Sequence, residues 1–247
     1  MDGRRRRPHL RRRLPRPNVG ARIEREWLPA SIQGQFVRLR PIARADHPLL
    51  FFWRNDDRWP SPFAQRSDRF GRGVLSPSHR FLEFDEWQQT ELQFVLHSGV
   101  ALLAEQSGDG APLGVVHMHN VSENHGWAYY REFFPHETLR RWQAAEATLL
   151  FLDHLFARYP IRKLYAEMLA YHNDPIQKLR NAGFVEEVRL EQDAWYGDSY
   201  VDYVYLGLFR EDWERRRLTY AADMAILRGF QAENQERADS AAPNDEG

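Results

Sequence analysis

The chain has no cysteine among its 247 residues. Disulfides, thiolate zinc sites and a thiol nucleophile are therefore excluded, and the absence fits a reducing compartment. Long apolar runs are missing too: none approaches the roughly 18 residues needed to span a bilayer. The basic start from Met1 to Pro17 lacks the apolar middle of a secretory signal, so a cytoplasmic location without membrane attachment is expected. Net charge is almost absent at −1, which argues against a molecule that binds nucleic acid over its whole surface. There is no GxGxxG, no P-loop lysine, no GxSxG elbow and no HExxH. Nucleotide-fold dehydrogenase, NTPase, hydrolase and zincin readings consequently lack support.

What is present is ample apolar material, 43% hydrophobic and 13% aromatic, enough to bury a core of one large domain or two small ones. The ends differ from the middle. Residues 1–31 hold an arginine block from Arg4 to Arg16 broken by prolines, which repels itself and reads as a disordered arm. It is either a solvated tail or an electrostatic contact with RNA or another polyanion. Residues 231–247 read as an acidic, disordered tail. Between them, with no repeat or heptad, 32–230 is expected to form one domain.

Within that domain strands and helices alternate. Phe36, Val37 and Leu39 mark a short strand ending at Pro41, followed by an aromatic-rich helix from about Ala43 to Asp56. A loop rich in Pro, Ser, Gly and Arg, from Asp57 to Ser78, is long enough to suggest mobility or a role toward substrate. One helix is expected over 79–96, with Phe81, Phe84, Trp87 and Leu92 at helical spacing. Two extended segments then flank Gly108, Asp109 and Gly110, a hairpin signal, and a third strand over 127–134 closes at Pro135. A long amphipathic helix carries Leu149, Leu152, Leu155 and Phe156 inward. After it come a strand at Lys163–Leu169, a short helix broken at Gly183 and two closing strands.

This order and four strings in it, FVRLRPIARAD at 36–46, PLGVVHMHNV at 112–121, NAGFVEE at 181–187 and YVDYVYLGLFREDW at 200–213, resemble the GCN5-related N-acetyltransferase superfamily. The similarity is to its branch of ribosomal-protein and small-amine N-acetyltransferases and spans Gln35 to Trp213. It implies a single mixed α/β domain, with a central, mostly antiparallel, splayed sheet flanked by helices. It also implies acetyl-CoA or another acyl-CoA as co-substrate, no metal, and a small-molecule or peptide amine as acceptor. In that family the pantetheine arm pairs with a strand edge. The pyrophosphate sits on the start of the long helix, where a glycine-rich loop allows close approach.

The helix start departs from this pattern. Counted back from Glu146 and Ala147, the two glycine positions fall on Arg140 and Trp142, and about five extra residues lie around Phe133–Glu137. Three readings stay open. In the first, Arg140 and Arg141 side chains replace backbone contacts to CoA phosphates; in the second, the donor is a carrier protein or aminoacyl-tRNA; in the third, the protein is a catalytically silent binder. The donor-binding positions that the resemblance implies are Phe133, Phe134, Arg140, Arg141, Trp142, Gln143, Ala144 and Asn173.

Catalytic candidates follow from the need to deprotonate an ammonium before it attacks a thioester. Glu123 and Glu132 stand where relatives place a base, although either could be a solvated carboxylate. His125 belongs to a residue type that exchanges protons near neutral pH, and aminolysis without a base is a further option. The relatives' tyrosine acid falls near Leu179 or Arg180, which leaves Tyr171 as a substitute, or as plain packing. His117 and His119 share a strand face, but no third metal ligand is suggested. The two histidines are expected to line the sheet beneath the acceptor pocket, His119 as a substrate contact, or to be plain packing, with Trp59 and Phe63 as ligand contacts and Trp53 and Trp87 in the core.

Overall fold

The computed structural model describes residues 28–54, 83–135, 141–171, 173–196, 199–222 and 229. The two tails and the 57–78 loop lie mostly or wholly outside them.

Strand β1 (Ile32–Gln33) and β2 (Val37–Pro41) are followed by a short 3-10 turn and helix α1 (His47–Arg54). The single helix expected over 79–96 is two pieces where described, α2 (Phe84–Gln89) and α3 (Glu91–His97). Thr90 breaks them with φ −118° and ψ −87°, and its Oγ1 donates back to the Glu86 carbonyl at 2.7 Å, a local bond that competes with helix continuation. Strands β3 (Gly99–Gln106), β4 (Pro112–Ser122) and β5 (Trp127–Phe133) form the expected meander. At the β3–β4 turn Gly110 takes φ +73°, and Asp109 Oδ1 accepts the Ala111 N–H at 3.0 Å, as the Gly-Asp-Gly signal requires. Helix α4 (Arg141–Arg158), β6 (Lys163–Leu169), α5 (Asn173–Asn181), β7 (Val185–Tyr196) and β8 (Ser199–Phe209) complete the domain. A last helix, α6, is described over 210–222. No described helix is long and apolar enough to cross a membrane.

The eight strands lie in the order β1-β2-β3-β4-β5-β6-β8-β7. Every neighbouring pair is antiparallel except β5 with β6. Side chains alternate between the two faces, and each face has its own core. On one, Leu102, Val116, Met118 and Tyr130 pack with Phe151, Leu152 and Leu155 of α4, Leu179 of α5 and Trp213 of α6. On the other, Leu103, Val115 and Phe133 pack with Leu50 and Trp53 of α1, Trp87 of α2 and Leu92 of α3.

Arg210 fixes the junction that brings β6 beside β5. Its guanidinium donates to the carbonyls of Tyr159 at 2.6 Å and Ile161 at 2.7 and 2.9 Å, and also to that of Phe156. The last turn of α4 and the chain entering β6 thereby find donors for carbonyls the helix leaves unpaired. Trp213 Nε1 then donates to Asp153 of α4 at 2.9 Å, which seats α6 along that helix.

Candidate active site

Strands β5 and β6 pair at Trp127 with Lys163, Ala128 with Leu164 and Tyr129 with Tyr165, and the register ends there. Beyond it β5 stays with β4 as far as Phe133 opposite Val115, while β6 stays with β8 as far as Leu169 opposite Tyr203. The strands part, and the facing edges at 130–133 and 166–169 form no β5–β6 pair. Backbone N–H and C=O groups at such an edge need partners, so the opening suits water or an extended ligand arm.

One side of the opening faces α4 and α5. There Glu132 of β5 accepts from Tyr130 Oη at 2.6 Å and lies 2.9 Å from Thr148 Oγ1. It also pairs with Lys178 of α5, whose ammonium lies 5.0 Å from the Phe134 ring centroid. Burial and the adjacent Glu132 charge raise the phenols of Tyr130 and Tyr220 far above their ordinary range, so both stay protonated and Tyr130 remains a donor to Glu132. The start of α4 is sewn to the β1–β2 corner. Trp142 is 7% exposed and meets Phe36 edge-on at 4.9 Å. Gln143 Nε2 donates to Gln106 at 3.3 Å, and Glu146 accepts the backbone N–H of Gln35 at 2.7 Å and of Phe36 at 3.2 Å. The chain comes so close here that a Cβ at Gly34 would lie 2.7 Å from both Glu146 Oε1 and the Val37 carbonyl, and only glycine fits without a shift.

The other side of the opening belongs to the face that α1–α3 cover in part. His119 stacks on Tyr129 at 5.6 Å and 26°, and Tyr129 meets Tyr165 across the β5–β6 pair at 5.7 Å. Trp127 stands edge-on to both, at 5.8 and 6.1 Å. Phe94 of α3 closes the row over His119 at 5.8 Å. Arg131 and Glu167 carry the charge at the parting itself, on the same face by alternation. Burial lowers the Arg131 guanidinium from its ordinary value, opposed by Glu167 and Tyr203. Burial, helped by Arg131, pulls the His119 imidazole down to about 3. His117 is likewise well below its ordinary value, first through burial and then through His119 and Arg131. Both imidazoles are therefore neutral at working pH.

The expected site residues separate accordingly. Glu123 and His125 sit in the turn before β5, at its paired end, and His125 is tied by its carbonyl to Arg162 Nε at 2.8 Å. From Glu132, seven to nine residues on, they are about 20 Å away along an extended strand, so neither reaches the opening. Glu132 does reach it, but it faces α4 with its oxygens engaged by Lys178, Tyr130 and Thr148; it is neither a solvated carboxylate nor a base turned to the acceptor side. Tyr171 lies just past β6 at the open end, 37% exposed rather than buried in packing. Asn173 begins α5 close by. Phe133 turns away from the parting into the core around Trp53, 6.1 Å between rings, whereas Phe134 faces Lys178. The side chains of Trp142, Gln143 and Ala144 are buried, so only their backbone amides can face a ligand. His119 is the β4 member of the aromatic row, and Trp53 and Trp87 are core. Arg140, Trp59 and Phe63, and the side chain of Arg141, fall outside the described residues.

Sequence reasoning missed Tyr129, Arg131, Tyr165 and Glu167. The signal was the alternation in two strands, Tyr-x-Arg on β5 and Tyr-x-Glu on β6, but what brings the two segments together is a parallel pairing across a whole helix.

A mostly antiparallel sheet, one parallel pair that parts midway, and a long helix starting at the parting define the fold of the GCN5-related N-acetyltransferases. One solved structure of this kind, a GCN5-related N-acetyltransferase from Brucella melitensis, superposes with TM-score 0.59 at 15% identity over 78% of this chain and 85% of that one. A spermidine N-acetyltransferase from Vibrio cholerae, solved with CoA and spermine, gives 0.58 at 16% over 72% and 97%. A probable acetyltransferase from Chromobacterium violaceum gives 0.55 at 20% over 75% and 88%. No protein-family model matches the sequence, and no curated protein matches it at the sequence level. At these identities the likeness establishes the fold.

Proposed function

We propose that the chain is an N-acyltransferase that moves an acetyl or related acyl group from acyl-CoA to the amine of a small molecule or polypeptide. The parting of β5 from β6 carries this reading, because it leaves a strand edge open at the place where two differently built faces meet. The residues present fit an acyl-CoA in two respects. The β5 edge at 130–133 can take an extended arm as an added strand. The first-turn amides of α4, an 18-residue helix, can face phosphate with the helix dipole behind them. The indole of Trp142 stands where relatives have glycine, and it packs inward, which leaves those amides accessible to an anion.

Bound acyl-CoA would supply an activated thioester carbonyl. This chain's residues then position and deprotonate. The aromatic face admits the amine, and Glu167, at the parting on that face, is the carboxylate we assign to take the ammonium proton. The Glu132–Lys178 pair with Tyr130 and Thr148 forms a fixed polar wall on the donor side. Two cations, Arg131 and Lys178, stand at the opening on opposite faces and favour negative charge developing there.

The test is thiol release from acetyl-CoA with a panel of amines, alongside calorimetric titration of CoA and of a pantetheine fragment. CoA binding with amine-dependent thiol release, lost in Glu167→Gln, is the expected result. Binding of the fragment without the nucleotide half would point to a donor carried on a protein or tRNA. No binding of either and no thiol release would leave a binding protein built on this fold.

A further inference from the structure

The acceptor face has a composition that selects among amines. Across β4, β5 and β6 the rings of His119, Tyr129 and Tyr165 follow one another at 5.6 and 5.7 Å, tilted 26° and 36°, close to a stacked row. Trp127 and Tyr129 are only half-buried, and so is Tyr165, so the row is open to a ligand over part of its length. It already holds one cation: Lys163 Nζ lies 4.3 Å from the Tyr165 ring centroid, with Glu187 at 2.6 Å as its counter-charge.

Negative charge is scarce on this face. On the strand positions of β4, β5, β6 and β8 that point this way, Glu167 is the one carboxylate among the described residues, set against Arg131, while Glu187 of the neighbouring β7 is taken up by Lys163. A ligand with three or four ammonium groups would bring one of them to Glu167 and force the others against Arg131 or onto rings without counter-charge. Burying an uncompensated charge costs more than a ring contact returns. A ligand with one ammonium and a flat apolar body meets neither penalty. The two neutral imidazoles add ring surface to this face without adding positive charge.

We propose that the acceptor is a small, singly charged primary amine with a flat ring body, its ring laid along Tyr129 and Tyr165 and its ammonium directed to Glu167, and that polyamines are excluded. The fate of the amine rests on the acyl-transfer reading; its binding does not.

The experiment is calorimetric titration of the full chain, without donor, with 2-phenylethylamine, hexylamine and spermidine at about 0.15 M salt, where long-range attraction is screened. The ring amine should bind about 3- to 30-fold tighter than hexylamine, the range of one or two ring contacts, and spermidine should bind weakest. Tyr129→Leu with Tyr165→Leu should abolish the ring advantage and leave hexylamine affinity nearly unchanged. Glu167→Gln should weaken both monoamines and preserve the ring preference. The single Tyr129→Leu variant, altered at a half-buried position, gives the same readout if the double variant does not fold. Spermidine binding tighter than the ring amine overturns the proposal, as does a ring advantage that survives in a folded tyrosine variant. Thiol-release assays separate the two claims. A ring amine that binds but is not acylated refutes the transfer reading and leaves this one standing. Acylation of spermidine without ring-amine binding does the reverse.

Discussion

Replacing Trp142 with alanine tests whether this residue at the start of α4 is core or ligand contact. The side chain is 7% exposed and meets Phe36 edge-on at 4.9 Å, so its deletion should cost about 3–5 kcal/mol, the usual figure for a large buried aromatic. One contribution offsets part of that. The indole Nε1–H is buried with no hydrogen-bond partner among the described residues, and removing an unsatisfied donor returns about 1–3 kcal/mol. With mid-range values of both, the net expectation is a loss of about 2 kcal/mol. In urea, with a slope of about 2–3 kcal/mol per molar for a domain of this size, the midpoint should fall by about 1 M. Trp142→Phe keeps a ring against Phe36 and sheds the orphaned donor, and it should stay within about 1 kcal/mol of the parent. CoA titration of Trp142→Phe should match the parent, because Trp142 offers only its backbone amide to a ligand. If Trp142→Ala unfolds at the parent's midpoint yet loses CoA affinity, the indole is a ligand contact and the packing argument is wrong.

Arg210→Met should lower thermal stability by about 2–4 kcal/mol by stripping donors from the carbonyls of Phe156, Tyr159 and Ile161. That is roughly 5–12 °C in a melting experiment for a domain of this size, with Arg210→Lys recovering only part. Glu123→Gln and His125→Asn, at the paired end of β5, should leave amine-dependent thiol release within about twofold of the parent; a loss of tenfold in either would return the base to that turn. The pH dependence of stability has a sign set by His119. Its folded value of about 3 lies below the unfolded one, so the unfolded chain binds the extra proton. Stability is then full above about pH 6.5 and falls by up to about 1.4 kcal/mol per pH unit as pH drops toward 3. His119→Phe, which cannot take up that proton, should flatten this acid limb in urea titrations between pH 6.5 and 4, and an unchanged limb would refute the assignment.

The elements legible in the sequence were those set by local chemistry. The Gly-Asp-Gly hairpin, the stop of α5 at Gly183, which takes φ +100°, and the inward stripe of α4 all depend on residues within a few positions of one another. Thr90 shows the limit of periodicity: helical spacing from Phe84 to Leu92 runs straight through a residue whose hydroxyl bonds back to Glu86 and ends the helix. The opening was legible only through the family resemblance, because strand pairing between Tyr129 and Tyr165 spans a helix and leaves no local mark. The role of Trp142 was hidden for a related reason. Its partner Phe36 and the close approach at Gly34 lie over a hundred residues upstream.

Parity along β5 decides which carboxylate can serve the acceptor, and proximity in sequence misleads here. Glu132 adjoins Arg131, yet successive strand residues point to opposite faces, so one belongs to α4 and the other to the aromatic row. The face behind Glu132 is already filled from the chain's own C-terminal part. Trp213 is bonded to Asp153 of α4 and Arg216 Nε donates to the Asn181 carbonyl of α5 at 2.8 Å. One turn further on, Tyr220 is buried with a phenol held protonated by desolvation and by the Glu132 charge. Helix α6 therefore lies along the seam between α4 and α5, and freeing Glu132 as a base would mean breaking its pair with Lys178 under that cover. A carboxylate so enclosed serves structure. Glu167 stands on the other face, at the parting beside Arg131, and this position is why the proposed proton acceptor is placed there rather than at Glu132.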